Sequence, residues 1–374
     1  MKTSFDVVII GGGPAGTAAA LTLLKYSSLS VAVLERSDYS QVRIGETIPP
    51  GVQPLLNYLG VWETFLEAQH LPAYSTGAAW GSSEVMSRHF LFTGRGEGWH
   101  LDRRFFDGML AGEVEKRGGT LLTEARLTSC QRDVDGRWQI IGRQKNEAEI
   151  DLRARFVVDA SGKKFMLARR CGARQQVYDR LAGVIGFYKF KDEELRPHDT
   201  LVESCADGWW YSSLLPDRRM AVAFMSDTDI IRQRRVQQPQ GWSALLESTG
   251  HTRARTRDGR LSLPLHVRPA HSRLLSPTAD KGWIAAGDAA ASFDPLSSMG
   301  IGHALTSGTH AARALHASLD SDDGLIDQYA SSMVNNFHQY LAMRRQYYLL
   351  ERRWNSVFWA RRHAMPEILK IEGL

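Results

Sequence analysis

Cysteine is scarce. The chain holds three, Cys130, Cys171 and Cys205, with no CxxC pair and no metal-ligating cluster. That argues against a disulfide framework and against a metal site, and it fits a reducing cytoplasm. Lysine is missing from one long stretch, with none between Lys25 and Lys116. No run of about 18 apolar residues exists to cross a bilayer, so an integral membrane protein is not expected. The apolar segment 5–20 resembles the core of a signal peptide, but three consecutive glycines break it and it leads to the acidic Glu35. Charge of one sign is also modest: 46 basic against 41 acidic residues leave a net +5. Basic pairs gather late, at Arg344/Arg345, Arg352/Arg353 and Arg361/Arg362. Such a row reads as the solvated face of a helix, with a docking surface for an acidic partner as the sharper alternative. Nucleic acid is not expected, because no recognised binding motif accompanies the charge. There is no internal repeat and no low-complexity segment. Nothing in the sequence fixes the oligomeric state.

What is present suits two intimately packed domains in 374 residues. Residues 6–10 read as a short buried strand, 14–25 as a helix rich in Ala and Leu, and 30–34 as a second buried strand. This is a β-α-β unit, the builder of parallel sheets. Helical patterns return at 52–59 and 62–69. Residues 75–98 alternate aromatic and small residues, as exposed antiparallel strands do. A strong helix is expected at 104–117, stopped by Gly118-Gly119. Residues 120–158 read as strands with a turn at Asp135-Gly136, and 156–159 as a buried strand. Further strands are expected at 181–227, 260–268 and 283–286. From Gly300 onward the chain reads as mostly helical.

The first strand runs into Gly11-Gly12-Gly13-Pro14-Ala15-Gly16, which contains GxGxxG. Gly11 permits the tight turn, Gly13 lets the backbone approach a pyrophosphate, and Gly16 lets the helix pack against the strand. The helix N-terminus offers N–H groups to the phosphates. Glu35, at the end of the next strand, is placed to accept hydrogen bonds from ribose hydroxyls. Far downstream, Ala286-Gly287-Asp288-Ala289-Ala290 sits at a strand-to-loop junction, followed by Asp294-Pro295 and by Gly300-Ile301-Gly302 opening a helix. No second GxGxxG exists for a nicotinamide cofactor, which leaves NAD(P)H open as a transient reductant.

This pair of motifs resembles the p-hydroxybenzoate hydroxylase and flavin-dependent halogenase superfamily. The resemblance implies an α/β fold: a Rossmann-type, GR2-like FAD-binding domain interleaved with an antiparallel-sheet substrate domain, and a helical C-terminus. The implied FAD-binding domain comprises 1–75, 98–165 and 270–318, the substrate domain 76–97 and 166–269, and the C-terminal helical segment 319–374. Asp288, with Gly287, is then expected at the ribityl or pyrophosphate portion of FAD. The helix start at Gly300, Ile301 and Gly302, after Pro295, is expected to face the flavin pyrimidine and to stabilise negative charge there. Arg43-Ile44-Gly45-Glu46-Thr47 matches the loop that approaches the isoalloxazine ring, and Arg103 matches an arginine that contacts the cofactor. Asp159-Ala160-Ser161-Gly162 matches a loop near the flavin nucleotide. Arg36 and Leu127 complete the implied FAD-contacting set.

Within the superfamily, Gly45 to Pro50, the DASG form at 159–162 and Gly208-Trp209-Trp210-Tyr211 point toward the halogenase branch and its hydroxylase relatives. Two departures speak against halogenation. The Trp-x-Trp-x-Ile-Pro signature is broken, since the chain reads Trp209-Trp210-Tyr211-Ser212-Ser213-Leu214-Leu215-Pro216. The lysine that holds or activates hypohalous acid is missing where Thr76-Gly77-Ala78-Ala79-Trp80-Gly81 stands. The remaining likeness is to the LodB-like and GoxB-like flavoproteins that accompany cysteine tryptophylquinone oxidases. It rests on Trp80-Gly81-Ser82, Gly98-Trp99-His100-Leu101-Asp102-Arg103, Gly208-Trp209-Trp210-Tyr211 and the aromatic tail from Tyr347-Tyr348 through Trp354 to Phe358-Trp359.

That likeness implies an FAD monooxygenase using O2 to hydroxylate an aromatic ring, a tryptophan of a quinoprotein oxidase precursor. Trp80, Trp209, Trp210 and Tyr211 are then candidates to line the ring-binding cavity, with core packing as the plain alternative. Glu46 and His100 are the candidates for proton handling, and Trp210 joins them as a catalytic candidate. Two other classes stay open: a small-molecule flavin hydroxylase, halogenase-like enzyme or reductase, and a flavin-bearing assembly protein without turnover.

Overall fold

The computed structural model describes residues 3–191, 196–319 and 324–364. The β-α-β start is present as strand Ser4–Ile10, helix Pro14–Tyr26 and strand Val31–Leu34. Both strands are Val/Ile/Leu-rich because helices and loops cover both faces of the sheet they join. That sheet runs Ala279–Asp280, Trp283–Ala285, Glu149–Asp159, Ser4–Ile10, Val31–Leu34, Thr120–Leu122. Its four inner pairings are parallel. The long strand Glu149–Asp159 also pairs, along its first half, with Trp138–Gln144, which pairs in turn with Ala125–Arg132. The helix expected at 104–117 spans Arg103–Lys116, and the Asp102 carboxylate caps it by accepting from the Arg104 amide at 2.9 Å.

A second sheet of seven strands runs Arg260–Pro269, Leu181–Lys189, Met220–Asp227, Gly208–Leu214, Thr200–Cys205, Ser75–Ala79, Met86–His89. Of the reading of 75–98 as exposed antiparallel strands, the pairing of Ser75–Ala79 with Met86–His89 is antiparallel and Met86–His89 is exposed throughout, but Ser75–Ala79 is half buried and also pairs in parallel with Thr200–Cys205. The short helices Thr228–Gln233, Pro239–Glu247 and His251–Thr256 pack against one face of this sheet, with Trp242, Leu246, Ile231 and Val236 in its core. The other face turns toward the C-terminal helices.

The C-terminal helices are Gly300–Leu319, Gly324–Leu350 and Val357–His363. Residues 320–323 and 365–374 of the expected helical segment lie outside the described residues. The late arginine pairs are a solvated face only in part: Arg352 is exposed, but others are not. Arg344 and Arg362 are buried, Arg344 on Asp179 and Asp294 at 3.0 Å each, and Arg362 on Asp227 at 2.7 Å. Arg353 pairs with Glu351, and Arg361 with Asp227 and Asp229. Acidic residues buried beneath the helices need these partners, since an unpaired buried carboxylate is costly. No helix among the described residues is long and apolar enough to cross a membrane.

Candidate FAD site

The register of the parallel sheet brings the motifs together. Ile10 lies beside both Leu34 and Asp159, and Asp159 beside Ala285. The glycine turn, Glu35, the loop 160–162 and Gly287-Asp288 therefore leave the sheet side by side at its carboxyl edge, where open α/β sheets bind ligands. Gly11 has φ +107° and a Cβ there would sit 2.3 Å from the Ala160 carbonyl oxygen. A Cβ on Gly16 would sit 1.9 Å from the Gly11 oxygen. Gly13 differs, because no protein atom lies within 4 Å of where its Cβ would be. Pro14 takes the first helical position and no side chain caps the helix, so its first-turn amides are available to an anion.

Ala15 lies under the second motif. A Cβ on Gly287 would meet Ala15 Cβ at 2.7 Å, and one on Gly308 would meet the Ala15 oxygen at 2.1 Å. Helix Gly300–Leu319 is thereby held against the N-terminal helix, with Ile301 buried and Gly300 and Gly302 at its open start. Pro295 begins a single 3-10 turn, Pro295–Ser297, which the Asp294 carboxylate caps at Leu296 N, 3.0 Å. Asp288 is half-buried, and its carboxylate accepts no hydrogen bond from the described residues. Its charge acts on Lys163, Arg273, His303 and Arg103.

Glu35 is buried and accepts from the Gly12 amide at 2.8 Å and from Arg43 at 2.9 Å. Arg36 beside it is exposed at the rim, and Leu127 is buried on the strand Ala125–Arg132. Asp159 is fully spent on its own loop: Oδ1 accepts from Ser161, and Oδ2 from the Leu167 and Ala168 amides at 2.8 and 2.9 Å. Its side chain shapes the turn after the strand and so fixes the loop 160–162 at the sheet edge.

An open phosphate turn, an uncapped helix start, the Glu35 carboxylate beside them and the unengaged Asp288 carboxylate at the same sheet edge together fit FAD. Comparison with known proteins agrees. The family described as FAD binding domain matches residues 4–340. The chain belongs to this family. The putative FAD-dependent oxidoreductase LodB of Marinomonas mediterranea is 36% identical over 369 residues, covering 98% of each chain. The solved flavin-dependent halogenase CmlS matches with a TM-score of 0.86 at 25% identity, over 97% of this chain and 68% of that one. The peptidyl tryptophan dihydroxylase QhpG shares the fold, with a TM-score of 0.72 at 22% identity over 98% of this chain and 80% of that one. The protein is an FAD-dependent oxidoreductase.

The expected ring side of the site is built on the loop 43–48. Glu46 is buried, Oε1 has no partner among the described residues, and burial pushes its carboxyl up to about 7 against the pull of Arg103. Strand Thr47–Ile48 pairs with Gly98–His100, placing Thr47 beside His100. His100 is fully buried, and burial lowers its imidazole to about 4. Nε2 lies 3.0 Å from the His198 carbonyl oxygen and Nδ1 3.0 Å from Thr47 Oγ1. The carbonyl accepts only, so Nε2 carries the proton and Nδ1 accepts from Thr47. Thr47 Oγ1 is in turn 2.6 Å from Tyr211 Oη, which lies 2.9 Å from Ser213 Oγ. His100 is thus an orienting group, joined to the second sheet through Tyr211.

Trp210 is not at this site. Side chains alternate along the strand Gly208–Leu214, so Trp209 and Tyr211 share one face and Trp210 takes the other. Trp210 is fully buried against Phe224 and Trp242, beneath the short helices. Its candidacy as a catalytic and cavity-lining residue is corrected to core packing. Trp209 and Trp80 instead join Tyr348, Phe358 and Trp359 in one aromatic cluster, against which Ile44, Tyr211, Leu296 and Trp354 are partly buried. The Trp80 and Trp359 ring centroids are 5.3 Å apart. Within the aromatic tail, Tyr348, Phe358 and Trp359 are core residues.

Asp107, Asp294 and His303 are not singled out as site residues by the sequence, although an ion pair at the start of its helix is the plain alternative for Arg103, and Asp107 provides it. Asp107 is four residues after Arg103, a spacing that pairs side chains on a helix and was a readable signal. Asp294 is fully buried and binds Arg344 Nε at 3.0 Å and Tyr348 Oη at 2.8 Å, partners that no local pattern reveals. His303 sits in the first turn of the helix beside Asp288, and burial lowers it to about 4.

Proposed function

We propose that this protein is an FAD-dependent monooxygenase that hydroxylates an aromatic ring, a tryptophan of a quinoprotein oxidase precursor during cysteine tryptophylquinone biosynthesis. The observation that carries the reading is the aromatic wall: Ile44 and Leu296, from the two expected flavin loops, pack on the same cluster as Trp80, Trp209 and Tyr211. An electron-rich ring held there is shielded from water between the flavin loops and the C-terminal helices. The whole-length likeness to LodB and the shared fold with a peptidyl tryptophan dihydroxylase support the substrate class. Reduced FAD, when bound, supplies the electrons that activate O2 for transfer of one oxygen atom to the ring.

The remaining oxygen atom leaves as water, and that requires a proton. Glu46 holds one near neutral pH, because its buried site disfavours the charged form. His100, through Thr47, fixes the Tyr211 hydroxyl at the aromatic wall. Gly13 and the N-terminal helix hold the pyrophosphate, Glu35 the ribose, and Asp288 with the start of helix Gly300–Leu319 the ribityl and pyrimidine portion.

The test is mass spectrometry of a candidate precursor protein after incubation with the FAD-loaded protein, NADH or NADPH, and O2. A gain of oxygen on a tryptophan supports the reading. Turnover of free small aromatics alone removes the protein substrate, a chlorinated product overturns the argument from the missing lysine, and a flavin that stays oxidised with every donor points to an assembly role.

A further inference from the structure

Segment 37–46 carries the expected ring-side loop, yet among the described residues it contains no strand or helix. Its backbone ladder begins only at Thr47. What fixes it is a line of buried charges. Asp107, fully buried in the helix Arg103–Lys116, accepts from Arg103 Nε at 2.9 Å through Oδ1 and from Arg103 Nη2 at 3.0 Å through Oδ2. The same Oδ2 accepts from Arg43 Nη1 at 2.6 Å. Arg43 Nη2 then reaches Glu35 Oε1 at 2.9 Å, and Glu35 Oε2 takes the Gly12 amide at 2.8 Å. At the other end, Arg103 Nη1 donates to the carbonyls of Ile44 at 3.0 Å and Gly45 at 3.2 Å. Gly45 has φ +101°, and a Cβ there would sit 3.3 Å from Arg103 Nη1, so loop and guanidinium are in close contact.

Two carboxylates and two guanidiniums form a neutral row from the phosphate turn to the ring-side loop. Asp107 is its hub, the one member that binds both arginines. A bidentate carboxylate sets the plane of a guanidinium, and only the remaining Nη1 is left to define where the Ile44 and Gly45 carbonyls lie. Burial alone acts against the charge on Arg103, and Asp107 outweighs it.

We propose that Asp107 is the positioning residue of the ring-side loop: by locking Arg103 against the Ile44 and Gly45 carbonyls it determines where the ring end of FAD is held, whatever the substrate. The adenosine end should not depend on it, because Glu35 is held independently by Ser37 Oγ at 2.6 Å and by the Gly12 amide at 2.8 Å.

The experiment compares FAD and ADP, the latter reaching only the Glu35 end, by titration calorimetry on wild type and Asp107→Asn. FAD is expected to bind at least about tenfold more weakly, the effect of roughly one charge-assisted contact, while ADP stays within about twofold. Fluorescence of the bound flavin should rise as its ring loses a fixed seat. Loss by the same factor for both ligands, or for neither, overturns the proposal. Should Asp107→Asn fail to fold, Asp107→Glu asks the same question, since its longer side chain keeps the charge but moves the carboxylate off its bidentate seat on Arg103. The same split between FAD and ADP is expected, and its absence refutes the assignment. Hydrogen exchange on the FAD-bound wild type gives an independent readout: residues 43–47 should be protected along with the helix Arg103–Lys116, and rapid exchange of the loop alone would contradict the clasp.

Discussion

At the scale of single residues, the clearest constraints are those that close within a few positions of the chain. Gly11 and Gly16 are required by the turn itself, and both roles were legible in the motif. At Gly13 the protein itself places nothing within 4 Å of a Cβ, so its requirement for glycine is a question about the ligand. Gly13→Val places its side chain in space that no protein atom occupies within 4 Å, so the variant should melt like the wild-type apoprotein yet copurify without FAD. Normal flavin absorbance in that variant would rule out the assignment. Glu46 gives a second prediction. Its folded carboxyl is raised to about 7 from 4.5, so the folded state binds the proton more tightly than the unfolded chain does. The stabilising contribution is complete below the unfolded value and is lost as pH rises through the folded one. By linkage it amounts to about 3 kcal/mol. Glu46→Gln imitates the protonated form at every pH, so its melting temperature should gain on wild type between pH 5 and pH 8. Parallel melting curves across that range would refute the raised carboxyl. Trp210 was misread for a reason of the same scale. Three aromatic residues in a row give no cue to which face meets the flavin, and that face is set by the helices on the far side of the sheet.

At the scale of elements, the sequence carried what periodicity and capping carry. The β-α-β start and the helix Arg103–Lys116 were recoverable because their apolar faces and end signals are local. The parallel pairing of Ser75–Ala79 with Thr200–Cys205 was not, because it joins segments that no window contains. The crossing of helix Gly300–Leu319 over the N-terminal helix is of the latter kind. A Cβ at Gly308 would lie 2.1 Å from the Ala15 backbone oxygen, a clash that no rotamer relieves. Gly308→Val should therefore push the helices apart and cost about 1–3 kcal/mol or more. Flavin content should fall with it, since Gly287, next to Asp288, rests on the same Ala15. Gly300→Ala, where no atom lies within 4 Å, is the contrasting variant and should melt like wild type. Equal thermal losses in the two would mean that the crossing does not set the position of the second motif.

At the scale of the whole molecule, the C-terminal helices bind the two sheets into one site. Arg344, on the long helix Gly324–Leu350, reaches Asp294 beside the second flavin motif and Asp179 at the entry to the second sheet, each at 3.0 Å. Tyr348 on the same helix donates to Asp294 and accepts from Trp209 Nε1 at 3.1 Å, so the flavin loop, the helix and the aromatic wall share one polar centre. The row of late arginines looked like a solvated face because sequence reports the charges and not the carboxylates buried beneath them. The distinction is measurable. Arg344→Met removes the shared partner of two buried carboxylates and should cost about 3–5 kcal/mol in thermal or denaturant unfolding. It should also loosen FAD, because Asp294 caps the turn that leads to Gly300. Arg352→Ala, by contrast, removes an exposed side chain bonded only to the Leu349 carbonyl and should change stability by less than about 0.5 kcal/mol. If the two variants unfold alike, the arginines form a surface feature after all, and the closure of the site must rest on the apolar packing of Tyr348, Phe358 and Trp359 alone.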